Sequence, residues 1–338
     1  MSNRKDGRQQ TAAEGEQALK ANVGGDAIVS HRYTTTEKLA NFIPCLRQKF
    51  APKRNLIAGP FAGEFGYELM QWQGFVRARR PHYERVHVLT YPGRDYLYEE
   101  CEVHYHKLDL KTAGYGYGRT DPATAQRMAT DLARRIALED YDQFDPRLLC
   151  TQYHRRMWGQ QFRLLEETPA EKSCDVLFHF RAVRKEGYDH QKNYSPDLAD
   201  VLVARCRDHG LTNGCIGHPD YSYCPPGSDD LRTIDLKETV AAISAARAVA
   251  GENSGPMHLA NLCGKPTIVW AQDQWRIDFS LRWNPFRVPI YIAANDSAQP
   301  PPEIVCDAIM RGLDDMAKRS YNFTKPLYTW PAQPIAFY

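Results

Sequence analysis

The chain has 338 residues, a formal net charge of +2, 25% charged residues and 43% hydrophobic residues. The composition is that of a globular protein, and the length allows two hydrophobic cores. The near-zero net charge gives no overall attraction to nucleic acid or to an anionic membrane. No apolar run is long enough to span a bilayer, and the polar first 20 residues lack the apolar core of a signal peptide. The nine cysteines include no CxxC pair, so we expect reduced thiols and a cytoplasmic protein.

The order of apolar and polar segments predicts an N-terminal arm and two α/β domains. Residues 1–50 are polar at their start and are predicted to be a partly disordered arm. Residues 51–170 are predicted to form a first domain, in which 153–167 is expected to be a helix. Strands and helices alternate in 171–300, which predicts a parallel sheet with helices on both faces. Residues 301–338 are predicted to be a helix and a tail that pack back onto the first domain.

A glycine-rich loop follows the first predicted strand. The apolar residues 56–58 precede the sequence GPFAGEFGYELM, in which a helical period begins at Tyr67. Open α/β sheets bind ligands at such carboxyl ends of strands. Glu64 lies before the helix among apolar neighbours that can raise its pKa towards the range of a general base. Glu68 comes four residues later, where a glutamate can also simply complement the helix dipole.

A second strand, loop and helix occupy residues 247–271, with the sequence RAVAGENSGPMHLANLCGKPTIVWA. Ser254 is a good N-cap residue and Pro256 suits the first helical turn. The first amides of a helix have no partner inside it and lie at the positive end of its dipole, so this loop can hold a phosphate. A well-capped crossover helix without a ligand explains the same spacing, and the residues alone leave both explanations open.

A predicted strand at 175–181 ends in cationic residues. Arg181 closes the strand, and Arg184 and Lys185 follow it. Guanidinium groups match the oxygens of a diphosphate, which favours a phosphate-binding role. A strand that leaves the core through solvated basic residues is the plain alternative.

Two histidines, His104 and His106, share one face of another predicted strand. No third potential ligand has a spacing typical of a metal centre, so we expect no metal site here.

Three segments resemble known glycosyltransferases. The sequence ENSGPMHLANLCGKPT (252–267) resembles the donor-site signature of the bacterial heptosyltransferases, glycosyltransferase family nine, in which a polar residue, Ser or Thr, and Gly-Pro-x-His-x-Ala precede Gly-x-Pro. The sequence GEFGYEL (63–69) is similar to the Gly-Asp loop of that family, with Glu in place of Asp. The sequence HFRAVRK (179–185) resembles the His-x-Arg strand end of fucosyltransferase-like enzymes.

The resemblance implies a GT-B fold, in which two Rossmann-like domains with parallel sheets face each other across a cleft. It implies an inverting, metal-independent transfer from a nucleotide-diphosphate sugar to a hydroxyl of a glycan or glycolipid, with no cofactor and with Glu64 as the base. Residues implied to bind the donor are Arg181, Arg184, Glu252, Asn253, Ser254, Gly255, Met257 and His258. Residues implied to bind the acceptor are Gly63, Phe65, Tyr67 and Glu68.

Some expectations depart from this family or compete with it. The lysine that the family carries in its second domain has no evident counterpart, so Arg181 or Arg184 is expected to replace it. A non-catalytic protein that binds a nucleotide or a glycan is one alternative. A modified DNA base as acceptor is another, because the aromatic segment 272–287 suits base stacking, although the near-neutral charge argues against nucleic acid. We expect a cytoplasmic protein, or one peripheral to the inner membrane face.

Overall fold

The computed structural model of the chain describes residues 35–108, 122–146, 158–170, 173–183, 192–318 and 327–330. The predicted disorder before residue 35 and the predicted donor contact of Arg184 lie outside the described residues. The chain divides into two compact units, Met1–Asn41 and Phe42–Tyr338. Of the first unit, only the start of helix α1 (Thr35–Phe50) is described, and all the features below belong to the second unit.

The first sheet has four parallel strands in the order β3-β2-β1-β4. The strands are β1 (Asn55–Ala58), β2 (Arg85–Thr90), β3 (Glu102–Tyr105) and β4 (Tyr141–Phe144). The central strands β1 and β2 are buried along almost their whole length, as expected for parallel strands that are covered on both faces.

The helical residues of this half surround that sheet. The α-helices are α2 (Phe65–Tyr67), α3 (Gln73–Arg79) and α4 (Pro122–Arg135), with 3-10 turns at Arg80–His82 and Asp95–Tyr98. A π-helical turn, Glu68–Trp72, joins α2 to α3. The Gln160 side-chain amide donates to two carbonyls of this turn, Met70 O and Gln71 O, at 3.1 Å each.

The second sheet has six parallel strands in the order β12-β11-β10-β6-β7-β9, and a seventh short strand, β8, runs antiparallel to β6. Their bounds are β6 (Val176–Arg181), β7 (Asn213–Cys215), β8 (Ser222–Tyr223), β9 (Asp229–Asp230), β10 (Ala248–Glu252), β11 (Thr267–Trp270) and β12 (Ile290–Ala294). The helices are α5 (Pro196–Asp208), α6 (Leu236–Ala245), α7 (Gly255–Leu262), α8 (Gln274–Arg282) and α9 (Pro302–Lys318). The predicted α/β class with two parallel sheets is confirmed.

One apolar core joins the two sheets. Trp72 and Phe144 of the first half belong to the same buried cluster as Val249 and Met257 of the second half. Each sheet packs its other face on a separate cluster. The shared core holds the loop that follows β1 against the loop that follows β10.

Two predictions about single elements are wrong. Helix α9 packs on the second sheet, because its apolar stripe of Val305, Ile309 and Leu313 joins the core around Phe178. It was expected on the first domain. The tail was expected there too, and its described residues 327–330 do pair with residues 160–163, which belong to the predicted first domain. The helix predicted over 153–167 is a strand at β5 (Gln160–Arg163), which pairs antiparallel with β13 (Leu327–Trp330).

No helix among the described residues is both long enough and apolar enough to cross a membrane.

Candidate active site

The two glycine-rich loops, predicted separately, touch each other. A Cβ built on Gly255 at the start of α7 would lie 2.6 Å from Cδ1 of Phe65. A Cβ built on Gly66 would lie 3.4 Å from Cδ2 of His258 and 3.9 Å from the Gly255 Cα. Glycine at position 255 therefore lets the Phe65 ring lie directly on the first turn of α7. This contact brings the loop that carries Glu64 to the loop that carries Ser254.

Aromatic rings fix this junction from one side. The Trp283 ring makes edge-on contacts with Tyr67, at 5.0 Å between ring centroids, and with His258, at 4.9 Å. Phe279 packs against Trp283 at 4.0 Å. Tyr67, which was expected to bind an acceptor, is therefore part of the packing between the two halves. Sequence patterns did not single out Trp283, because its role depends on partners far away in the chain.

A lysine that the sequence analysis missed lies at this junction. Lys192 is partly buried and is close enough to Glu64, Glu252, Arg181 and Arg276 to interact electrostatically with all four. Burial lowers the pKa of Lys192, and Arg276 lowers it further, whereas Glu252 and Glu64 oppose the shift. Three cations and two carboxylates thus converge at the carboxyl ends of the strands.

Glu252 and Asn253 form the exit from β10. Glu252 is the last residue of the strand and is completely buried. The Asn253 side-chain amide donates to the Arg276 carbonyl, and its backbone amide donates to Trp270 O at 3.1 Å. These bonds fix the backbone that leads into α7 and tie it to α8, which carries Arg276.

Ser254 occupies the N-cap position of α7, as predicted, but its side chain does not cap the helix. Its Oγ is instead 2.9 Å from Nδ1 of His179 on β6. The amides of Met257 and His258 donate to the Ser254 carbonyl at 3.1 and 3.2 Å. Within the described part of the chain, the amides of Ser254 and Gly255 have no hydrogen-bond acceptor, so these two are open to an anion.

Met257 and His258 face the interior. The Met257 side chain is 1% exposed and belongs to the shared core, and its backbone amide already donates to the Ser254 carbonyl. Neither group is therefore available to bind the nucleotide sugar. His258 is also buried, and burial together with the nearby Lys192 lowers its pKa to about 3. Burial and Arg181 lower the pKa of His179 to about 3 as well. Both imidazoles are therefore neutral near pH 7, and neither adds positive charge to the site.

Arg181 lies at the end of β6, where it was predicted. Its Nη1 donates to Asn193 Oδ1 at 2.9 Å, and the same oxygen accepts from the Val183 amide at 3.1 Å. Asn193 is adjacent to Lys192 in the chain, so this bond positions the lysine and the arginine together.

Glu68, predicted to contact an acceptor, lies beneath the loop instead. It is completely buried, and its Oε1 accepts from Thr90 Oγ1 at 2.5 Å and from the Tyr98 hydroxyl at 2.9 Å. Burial raises its pKa, and Arg94, 3.7 Å from Oε2, opposes that shift. No surface of Glu68 is open to an acceptor here. Glu64, in contrast, is partly exposed, with buried Gly63 before it and partly exposed Phe65 after it.

Comparisons with known proteins give structural similarity alone. No protein-family model and no curated protein matches the chain. The glycosyl transferase family 9 structure from Veillonella parvula is 10% identical, with 78% of this chain and 98% of that chain covered and a TM-score of 0.48. The ADP-heptose lps heptosyltransferase II of E. coli is 11% identical, with 78% and 99% covered and a TM-score of 0.49. The E. coli heptosyltransferase WaaC with ADP is 11% identical, with 77% and 99% covered and a TM-score of 0.46. Similarity at this level does not transfer an activity, so function has to follow from the site itself.

Proposed function

We propose that this chain is an inverting glycosyltransferase of GT-B type that moves a sugar from a nucleoside diphosphate to an acceptor hydroxyl. The observation that carries the proposal is the convergence of Lys192, Arg181 and Arg276 with Glu64 where the two glycine-rich loops meet. The resemblance of residues 252–267 to a heptosyltransferase donor site supports the same assignment.

The donor diphosphate binds on the second-domain side of this junction. The amides of Ser254 and Gly255 donate to its oxygens at the positive end of α7. Lys192 is the main cation, with Arg181 and Arg276 beside it, and it fills the role of the family lysine for which sequence patterns show no counterpart. Glu252 and Asn253 shape the loop from beneath, and His258 and Met257 support it without contacting the donor.

The cations act most strongly when the glycosidic bond breaks. Negative charge then collects on the departing diphosphate, and fixed positive groups stabilise that charge in the transition state. A lysine and two arginines supply the compensation that a metal ion gives in other transferases, so we propose a transfer step that uses neither a metal ion nor a cofactor.

Glu64 acts as the general base in this mechanism. It accepts the proton of the acceptor hydroxyl while the oxygen attacks the anomeric carbon from the face opposite the leaving group. The new carbon–oxygen bond forms as the bond to the diphosphate breaks, which inverts the anomeric centre. Gly63 and Phe65 flank Glu64 and form the acceptor side, where a hydroxyl of a glycan or glycolipid would lie.

A ligand screen followed by a turnover assay tests this proposal. ADP, GDP and UDP, each with and without an attached sugar, are added to the protein while its melting temperature is recorded. We expect one of the three nucleotides to raise the melting temperature. We also expect the matching nucleotide sugar to be hydrolysed slowly, with water as the acceptor. Binding without any turnover would instead support a non-catalytic nucleotide-binding protein. The absence of binding to any nucleotide would contradict the proposal.

A further inference from the structure

A second cluster of side chains lies on strands β2 and β3, at one edge of the first sheet. Strands β2 and β3 are parallel, with His87 paired to Glu102 and Leu89 paired to His104. Because side chains alternate between the faces of a strand, the side chains of Glu102 and His104 project from the same face. The side chain of His87 meets both of them there.

The distances between these groups are those of a metal centre. Nδ1 of His87 is 3.2 Å from Nε2 of His104 and 3.4 Å from Oε2 of Glu102. All three ligand atoms lie within 4.8 Å of one another. Two ligand atoms that are each about 2.0–2.1 Å from a tetrahedral zinc ion are about 3.3 Å apart. Two of the three edges therefore already match this value without any side-chain movement.

The environment suits a bound ion that keeps an open position. His87 is completely buried, whereas 47% of the Glu102 side chain is exposed and His104 is half-buried. The ion would thus be anchored from the protein side, and its remaining coordination position would face water. Arg85 donates to both carboxylate oxygens of Glu102, at 2.7 and 2.8 Å, and fixes their orientation. Hydrogen bonds of this kind commonly orient metal-ligating carboxylates.

We propose that His87, His104 and Glu102 form a binding site for a divalent transition-metal ion of the zinc class. Two imidazole nitrogens and one carboxylate oxygen are a donor set that such ions accept, and that magnesium and calcium do not favour. The ion ties the edge strand β3 to its neighbour β2. It takes no part in the proposed sugar transfer, and this inference does not depend on that function.

Sequence spacing could not find this site. The strand pattern groups His104 with His106, but His106 is buried elsewhere, with Nε2 2.7 Å from Phe61 O. The third ligand, His87, lies on β2, 17 residues before His104 in the chain.

Metal titration of the untagged, EDTA-treated and dialysed full chain tests the proposal. We expect one zinc ion to bind per chain and the melting temperature to rise with zinc concentration. We also expect cobalt(II) to give the visible absorption of a low-symmetry site with nitrogen ligands. His104→Ala and Glu102→Gln should each weaken zinc binding by more than about tenfold, as expected for the loss of a ligand.

Matched controls make this result specific. His209 is an exposed histidine at the end of α5, so His209→Ala should leave zinc affinity unchanged. Glu102→Gln keeps the size of a half-exposed side chain, which preserves the fold if the loss of His104 disturbs it. The proposal is overturned if the wild-type chain binds no zinc at micromolar concentrations, or if both ligand variants bind as tightly as the wild type.

Discussion

The two glycine-rich loops have the same local order of strand, loop and helix, yet they end in different structures. After β1, the chain enters a short α-helical turn and then a π-helical turn, with Glu64 partly exposed and Glu68 buried beneath it. After β10, it enters the regular helix α7, with two open amides and with Lys192, Arg181 and Arg276 nearby. The first loop therefore presents a carboxylate, and the second presents two amides beside a group of cations.

The same order of strand, loop and helix can therefore support two different steps of one reaction. A carboxylate at the first loop suits the removal of a proton, whereas amides and cations at the second suit a leaving group that gains negative charge. The proposed transfer needs both, and the contact between Phe65 and Gly255 brings the two loops together.

The largest expected effect comes from removing the base at the first loop. Glu64→Gln should lower the transfer rate by about 10²–10⁴-fold, the range for loss of general base catalysis. Nucleotide affinity should stay within about twofold, because the amide keeps the size of the carboxylate and the donor binds to the other loop. Rates from single-turnover experiments, compared with affinities from calorimetry, check this separation. Equal losses in rate and affinity would contradict the assignment of proton removal to the first loop and nucleotide binding to the second.

The converse change at the second loop is Lys192→Met. A hydrogen bond to a charged group contributes about 1.5–3 kcal/mol, so nucleoside diphosphate affinity should fall by about 10- to 100-fold. Lys237→Met is the control, because 65% of that lysine side chain is exposed and its nearest carboxylate is 3.9 Å away. Titration calorimetry of the two variants with the same nucleotide gives the comparison. Similar affinities for both would remove Lys192 from the donor site.

The contact between the loops can be tested by two glycine substitutions. Gly255→Ala forces a methyl group against the Phe65 ring and should lower the free energy of unfolding by about 1–3 kcal/mol. Gly66→Ala meets its nearest atom at 3.4 Å, so its effect should stay below about 1 kcal/mol.

Urea denaturation of the two single variants measures this difference. Adding Phe65→Leu to Gly255→Ala should restore part of the lost stability, which is non-additivity between neighbours. Equal destabilisation by the two glycine substitutions would contradict the close contact at position 255.

The smallest expected effect is a pH dependence that arises at the second loop. The pKa of His179 and the pKa of His258 are both lowered to about 3, whereas an unfolded histidine has a pKa of about 6.5. The unfolded chain therefore binds protons that the folded chain does not, and stability falls as the pH decreases below about 6.5. The loss should be about 1 kcal/mol for each histidine between pH 6.5 and 5.5.

Denaturation midpoints across this pH range check the effect, with His258→Asn expected to flatten the slope by the share of one histidine. A slope unchanged by that substitution would show that His258 titrates normally in the folded chain.

Local sequence patterns predicted the elements whose structure depends on residues close together in the chain. The strand, loop and helix around Ser254 follow from apolar runs, Gly and Pro within about 25 residues, and they are confirmed. The strand over 160–163 was missed because its partner, residues 327–330, lies at the other end of the chain. The amphipathic stripe of α9 predicts a helix, but it does not say which sheet the helix covers.

The candidate site divides in the same way. Glu64, Arg181 and Ser254 could be proposed from their places at strand and helix ends, whereas Lys192 has no motif of its own. Its significance depends on the charges that the fold collects around it, from four separate segments. The Ser254 side chain does not cap helix α7 as expected but lies within hydrogen-bond distance of His179. This buried imidazole is distant in the sequence, so local patterns do not reveal it as a partner.

The most direct test of the central claim is a crystal structure of the chain with the nucleoside diphosphate that the ligand screen selects. We predict that diphosphate oxygens lie within hydrogen-bond distance of Lys192 Nζ and of the amides of Ser254 and Gly255, on the side of the loops that faces Glu64. A nucleotide bound with its diphosphate away from Lys192 and from these two amides would contradict it.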